Sequence, residues 1–79
     1  MYLAVKNVIP LDNYFLLLTF ENGKKRQFDV KPYLNLGVFR ELQDIELFKT
    51  VAISFDTIEW KNKADFDPEF LYQRSLKVD

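Results

Sequence analysis

The sequence predicts a small α+β domain: a mainly antiparallel sheet of about five short strands, with short helical segments and a C-terminal helix. Three observations lead there. Asn22-Gly23 stands between two strand-like runs, and Val51, Ile53 and Phe55 alternate with Ala52, Ser54 and Asp56. Asp67-Pro68 then opens a short aromatic segment in the manner of a helix start.

Leu3 to Ile9 alternates imperfectly and stops at Pro10, and Leu11-Asp12-Asn13 supplies turn residues, which predicts a first strand. Tyr14 to Phe20 is apolar except for Thr19 and predicts a central strand covered on both faces. Glu21-Asn22-Gly23-Lys24 predicts a hairpin with a type I′ turn, because Asn and Gly both accept positive φ. On the return strand, Lys24 to Val30, residues Arg26, Phe28 and Val30 share one face and Lys25, Gln27 and Asp29 the other. Lys31-Pro32 ends it.

Tyr33 to Gly37 reads as a turn or a single helical turn. Between Val38 and Lys49 the apolar positions Val38, Phe39, Leu42, Ile45, Leu47 and Phe48 partly follow a helical period. Asp44 divides them as a cap, so two stubs are expected rather than one rod. Val51 to Phe55 predicts a half-buried strand, turned by Asp56-Thr57 into a strand from Ile58 to Lys61. The last helix is expected over Pro68 to Arg74 with Asp67 as its cap, and residues 75–79 are expected to fray. No repeat, low-complexity tract or linker divides the chain, so residues 1–79 read as one domain.

With 79 residues, no cysteine and no histidine, the chain has no disulfide, thiolate or imidazole to work with, which removes the usual zinc ligands and the commonest general base. Stability then rests on packing, for which eight Phe, four Tyr and one Trp are the main resource. Eleven Lys and Arg against twelve Asp and Glu, a net charge of −1, argue against a footprint for duplex nucleic acid or an anionic membrane. No apolar run approaches membrane-spanning length, and the N-terminus lacks a basic region followed by an apolar core; the reading is a cytoplasmic protein.

Three residue sets invite a functional reading. Trp60, Phe66 and Tyr72 flank a polar turn and offer an aromatic platform for a peptide, a base or a subunit, although Trp60 and Phe66 are read first as core. Asp65, Asp67 and Glu69 could offer oxygen ligands to Mg²⁺ or Ca²⁺, but they lack the glycine and spacing of an EF-hand loop. Capping by Asp67, a first-turn Glu69 and a backbone bond from Asp65 explain them more simply, so no cofactor or metal is assigned. Lys24, Lys25 and Arg26, with Lys61 and Lys63 at the second turn, could line one edge and meet phosphates or an acidic partner; a solvated hairpin that discourages edge pairing is the plainer account. Asp29 has no evident acid or base partner, Ser54 and Ser75 have no triad, and Gly23 and Gly37 make no phosphate loop. The expectation is a non-enzymatic protein.

Asn22-Gly23, Phe28-Asp29, Gly37-Val38-Phe39, Leu42, Phe48, Val51, Ile58-Glu59-Trp60, Asn62, Ala64-Asp65 and Pro68-Glu69-Phe70-Leu71-Tyr72 occur in this order. In this the chain resembles, over nearly its whole length, the bacterial family termed domain of unknown function 2442. Trp60 to Tyr72 is the most specific part. The family's turn after the tryptophan is similar to Pro-Asn-Gly, whereas here it is Lys61-Asn62-Lys63, which removes the glycine and adds positive charge. The resemblance implies a small α+β domain, sometimes fused to a helix-turn-helix and often encoded beside another small protein in an antitoxin-like arrangement. It supplies no catalytic residue. The function expected is therefore a protein-protein interaction module, antitoxin-like or regulatory, docking a neighbouring gene's product through a sheet edge or the last helix with Tyr72. A nucleic-acid-binding accessory protein using the basic hairpin, and a small-molecule or metal-binding domain, are the alternatives; a homodimer is compatible with so thin a core.

Overall fold

A computed structural model describes residues 3–78 of the chain. Among these residues seven strands and two α-helices follow one another: β1 (Val5–Pro10), β2 (Phe15–Phe20), β3 (Lys25–Asp29), α1 (Ile45–Phe48), β4 (Ala52–Ser54), β5 (Thr57–Glu59), β6 (Asp65–Phe66), α2 (Pro68–Arg74) and β7 (Leu76–Lys77). Short 3-10 turns at Lys31–Tyr33 and Gly37–Gln43 cross from β3 to α1. The strands form two antiparallel sheets, β1-β2-β3-β7 and β4-β5-β6, joined at one corner where the Val5 N–H donates to the Asp56 carbonyl at 2.9 Å. The α+β expectation holds, with more strands than anticipated because the second sheet is separate. No described helix is long and apolar enough to cross a membrane.

The predicted β2–β3 hairpin forms, and its inner face is Leu16, Leu18, Phe20, Phe28 and Val30, all essentially buried. Phe15, Leu17 and Thr19 remain half-exposed, so β2 is covered on one face only: the second sheet and the helices all pack on its other side. The turn itself differs from a type I′. Gly23 is left-handed (φ 83) but Asn22 is not, and the Asn22 Oδ1 instead accepts from the Lys24 N–H at 3.0 Å. Gly23 N–H donates to Phe20 O and Phe20 N–H to Lys24 O, both at 2.9 Å, giving a three-residue loop closed by a left-handed residue.

The turn after β5 repeats this pattern bond for bond. Lys63 N–H donates to Trp60 O and Trp60 N–H to Ala64 O, both at 2.9 Å, and Asn62 Oδ1 accepts from Ala64 N–H at 3.2 Å. Lys63, at φ 75, occupies the place of Gly23. The tight geometry thus survives the loss of the family's glycine, with a lysine bearing the left-handed conformation.

The two helical stubs appear as expected, the first as a 3-10 turn, and Asp44 divides them by accepting from the Glu46 N–H at 3.1 Å. The Pro68–Arg74 helix also appears at the predicted bounds. Its cap does not: Asp67 takes the extended cap backbone, but its side chain makes no cap bond. Pro68 has the φ the first turn needs and no N–H to satisfy, so the helix starts on proline geometry.

Two further expectations are corrected. In β4, Ser54 pairs with Thr57, so the turn is Phe55-Asp56, one residue early, and Phe55 lies at the tip beyond the strand rather than on a buried face. Ile53 also stays open, because β4 is the edge strand of its sheet. Residues 75–78, expected to fray, lie along the sheet. The Arg26 guanidinium donates from Nε to Ser75 Oγ at 2.8 Å and from Nη2 to Ser75 O at 2.6 Å, which delivers Leu76 and Lys77 to the open edge of β3. Asp79 lies outside the described residues.

The core is one aromatic cluster. Trp60 is buried and donates from Nε1 to the Phe48 carbonyl at 2.8 Å, so its only polar atom is satisfied. Phe66 stacks between Phe39 (centroids 4.6 Å apart) and Phe70 (5.7 Å), and meets Phe28, Tyr33 and Trp60 edge-on.

The twin turns set up a direct comparison. A Cβ at Gly23 meets nothing within 4 Å, so Gly23→Ala should cost about 1 kcal/mol through φ alone. Lys63→Gly should instead raise stability, by roughly 0.5–1 kcal/mol. Urea midpoints that moved in the same direction would contradict the shared geometry.

Candidate functional site

The basic residues do not gather on one surface. Lys24 and Lys25 are exposed at the first hairpin turn, where the Glu21 N–H donates to Ala4 O, beside the Asp56 end of β5. Lys61 and Lys63 sit at the opposite end of β5, in a turn tied by Asn62 to Glu41 (2.8 Å). Arg26 points to the other face of β3, half-buried, with its guanidinium 4.5 Å from the centre of the Tyr72 ring and bonded to Ser75. The five do not form one basic edge.

The aromatic trio separates in the same way. Trp60 and Phe66 are core, as read. The Tyr72 ring stands edge-on to Phe20 at 4.9 Å and is covered by Arg26, so the last helix turns its tyrosine inward over β3. The acidic set does not converge: Asp65 lies on β6 opposite Glu59, Asp67 precedes α2, and Glu69 is in its first turn. Among the described residues no group of three or more acidic side chains is placed to hold a metal ion. No bond from the Asp65 side chain to the turn backbone forms, because that role belongs to Asn62.

An open depression of about 510 Å³ lies over the 3-10 turn and is lined by Gly37, Arg40, Glu41 and Gln43. Two of its polar groups are already engaged, Glu41 by Asn62 and Gln43 by the Leu34 carbonyl at 2.7 Å.

The residue that sequence reading missed is Phe55. Among the described residues four non-glycine positions have left-handed backbone, and for three the surroundings explain it. Asn tolerates this conformation, and the Asn13 carbonyl accepts from Lys31 Nζ at 3.0 Å. Tyr14 is held by its ring on Phe48, 5.0 Å away, and by its hydroxyl on the Gln43 carbonyl. Lys63 closes a tight turn. Phe55, at φ 56, is 99% exposed, so its ring returns no packing for a conformation that costs an L residue about 1–2 kcal/mol. The hairpin tip that presents it is pinned from below by the Val5–Asp56 bond. The signal lay in the pairing: Ile53 opposite Ile58 leaves only Phe55-Asp56 to turn the chain.

A family model described as "Protein of unknown function (DUF2442)" matches residues 5–77. No curated protein and no solved structure matches the chain.

The different placements of the basic residues are measurable. Arg26→Ala should cost about 2 kcal/mol in urea unfolding and strip hydrogen-exchange protection from β7. Lys24→Ala and Lys61→Ala should stay within about 0.5 kcal/mol of the wild type. Equal losses at all three would refute the assignment of Arg26 to the fold.

Proposed function

Since the chain belongs to the DUF2442 family, whose description assigns no activity, we propose on the strength of its hairpin tip that it is a non-enzymatic protein-binding module. In this reading it is the antitoxin-like or regulatory partner of a neighbouring small protein. Phe55 is the observation that carries it. The left-handed backbone of Phe55 lowers the stability of the free protein, its solvent-exposed ring contributes nothing to offset that cost, and a backbone outlier of this kind is a pointer to function. Burying that ring against a partner returns about 2 kcal/mol or more. Exposed aromatics that fill a partner's pocket are the usual anchors of protein interfaces.

The docking element is then the β4–β5 tip rather than the last helix, because Tyr72 is engaged inside its own chain. The tip is well suited to the task. A two-residue loop between paired strands loses little further freedom on binding, and the Val5–Asp56 bond ties it to the larger sheet.

The test is co-expression with the product of the adjacent gene, followed by titration of the purified pair. Phe55→Asn should weaken the complex about 30-fold or more while raising the stability of the free protein by about 1 kcal/mol, since asparagine accepts the left-handed backbone. Unchanged affinity in Phe55→Asn, or no complex with the wild type, would sink the proposal.

A further inference from the structure

The twin turns differ in what can reach the asparagine side chain. An asparagine reacts with its own backbone when the next peptide nitrogen, having lost its proton, closes on Cγ. A side chain on that next residue crowds the approach, and glycine leaves it open. Asn22 is followed by Gly23, whereas Asn7, Asn13, Asn35 and Asn62 precede Val8, Tyr14, Leu36 and Lys63. Asn22 is exposed, and among the described residues it bonds the chain only through Oδ1, which accepts from the Lys24 N–H at 3.0 Å. Asn62 is held at both ends: Oδ1 accepts from the Ala64 N–H, and Nδ2 donates to Glu41 Oε1 at 2.8 Å and to the Val38 carbonyl at 3.4 Å.

We infer that Asn22 is a site of spontaneous deamidation, gated by the first hairpin turn. The Gly23 nitrogen bonds to Asn22 Cγ, the Cγ–Nδ2 bond breaks, and Nδ2 leaves as ammonia, taking up the equivalent of the proton lost by the Gly23 N–H. The resulting succinimide adds one water at either of its carbonyls and opens to aspartate or isoaspartate. Water is the only co-reactant. The gate is the Gly23 proton, which is donated to Phe20 O at 2.9 Å, so the nitrogen can react only while the turn is open. Glu21 holds the turn shut from its other side, with its N–H on Ala4 O at 2.9 Å and its Oε1 accepting from the Ala4 N–H at 3.1 Å. The two products differ in what they do to the hairpin. Aspartate keeps the side-chain oxygen that accepts from the Lys24 N–H. Isoaspartate carries the main chain through Cβ and Cγ, which adds a methylene to the three-residue loop and breaks the register of the bonds from Phe20 to Gly23 and Lys24. That form cannot reclose the turn, and the Ala4 clip beside the Val5–Asp56 bond loosens with it.

Peptide mapping by mass spectrometry, during incubation of the whole chain at neutral pH and physiological temperature, tests this. Asn22 should convert before any other asparagine, with aspartate and isoaspartate both found there. The native protein should react about ten-fold or more slowly than the chain unfolded in guanidinium chloride, and that ratio should follow the hydrogen-exchange protection of the Gly23 N–H. Glu21→Ala, which removes the oxygen that accepts from Ala4, should shrink the ratio. Lys63→Gly should make Asn62 reactive: as fast as Asn22 in the unfolded chain, but slower than Asn22 in the native one, where Glu41 and Val38 hold the leaving nitrogen. An Asn22 no faster than the other asparagines, equal native and unfolded rates, a ratio unrelated to Gly23 protection or indifferent to Glu21→Ala, or an Asn62 that matches Asn22 in native Lys63→Gly would each overturn the assignment.

Discussion

The position of the Phe66 ring is the constraint on which the rest of this small fold depends. It comes from a strand of only two residues, yet it contacts a ring from β3, one from each of the two 3-10 turns between β3 and α1, one from the end of β5 and one from α2. A two-residue strand has almost no ladder to hold it, and the ring rather than the backbone fixes its place. In a cysteine-free chain of 79 residues no covalent staple could do this instead. The two sheets meet through Phe66 as much as through the Val5–Asp56 bond at their corner.

What could be read from the sequence was whatever local chemistry decides. The α2 bounds follow from Pro68 and the aromatic run, the division of the helical stubs from Asp44, and the β2–β3 hairpin from Asn22-Gly23. Local chemistry failed where two local options compete. Asn22 could have taken positive φ or bonded the backbone, and it bonds the backbone; Asn62 does the same in a turn with no glycine at all. Tyr14 lay beyond local reasoning, since its left-handed backbone is imposed by contacts with Phe48 and Gln43, some thirty positions away.

The candidate sites were less legible than the fold, for a related reason. Adjacent residues on a strand point to opposite faces, so Lys24-Lys25-Arg26, one basic run on paper, divides between solvent and an internal clip on Ser75. The same alternation made Phe55 look like core, because Val51-Ile53-Phe55 keeps its period right up to the point where the chain turns away. Periodicity identifies a strand without saying where it ends, and at a hairpin tip that single residue of error exchanges the most buried environment for the most exposed. Ser75, the one buried polar residue among those described, gave no local sign of its role because its partner is forty-nine positions upstream.

The lone tryptophan has a practical consequence. Its indole is sealed in the core, with Phe48 and Phe66 rings about 6 Å away and its N–H held by a backbone carbonyl, at the end of β5 remote from the Phe55 tip. Its emission therefore belongs to a dry, polar-anchored environment that exists only while the two sheets and the aromatic cluster are assembled. Intrinsic fluorescence in this protein reports the integrity of that junction, and an association event at the Phe55 tip that leaves the interior intact would pass unseen by it.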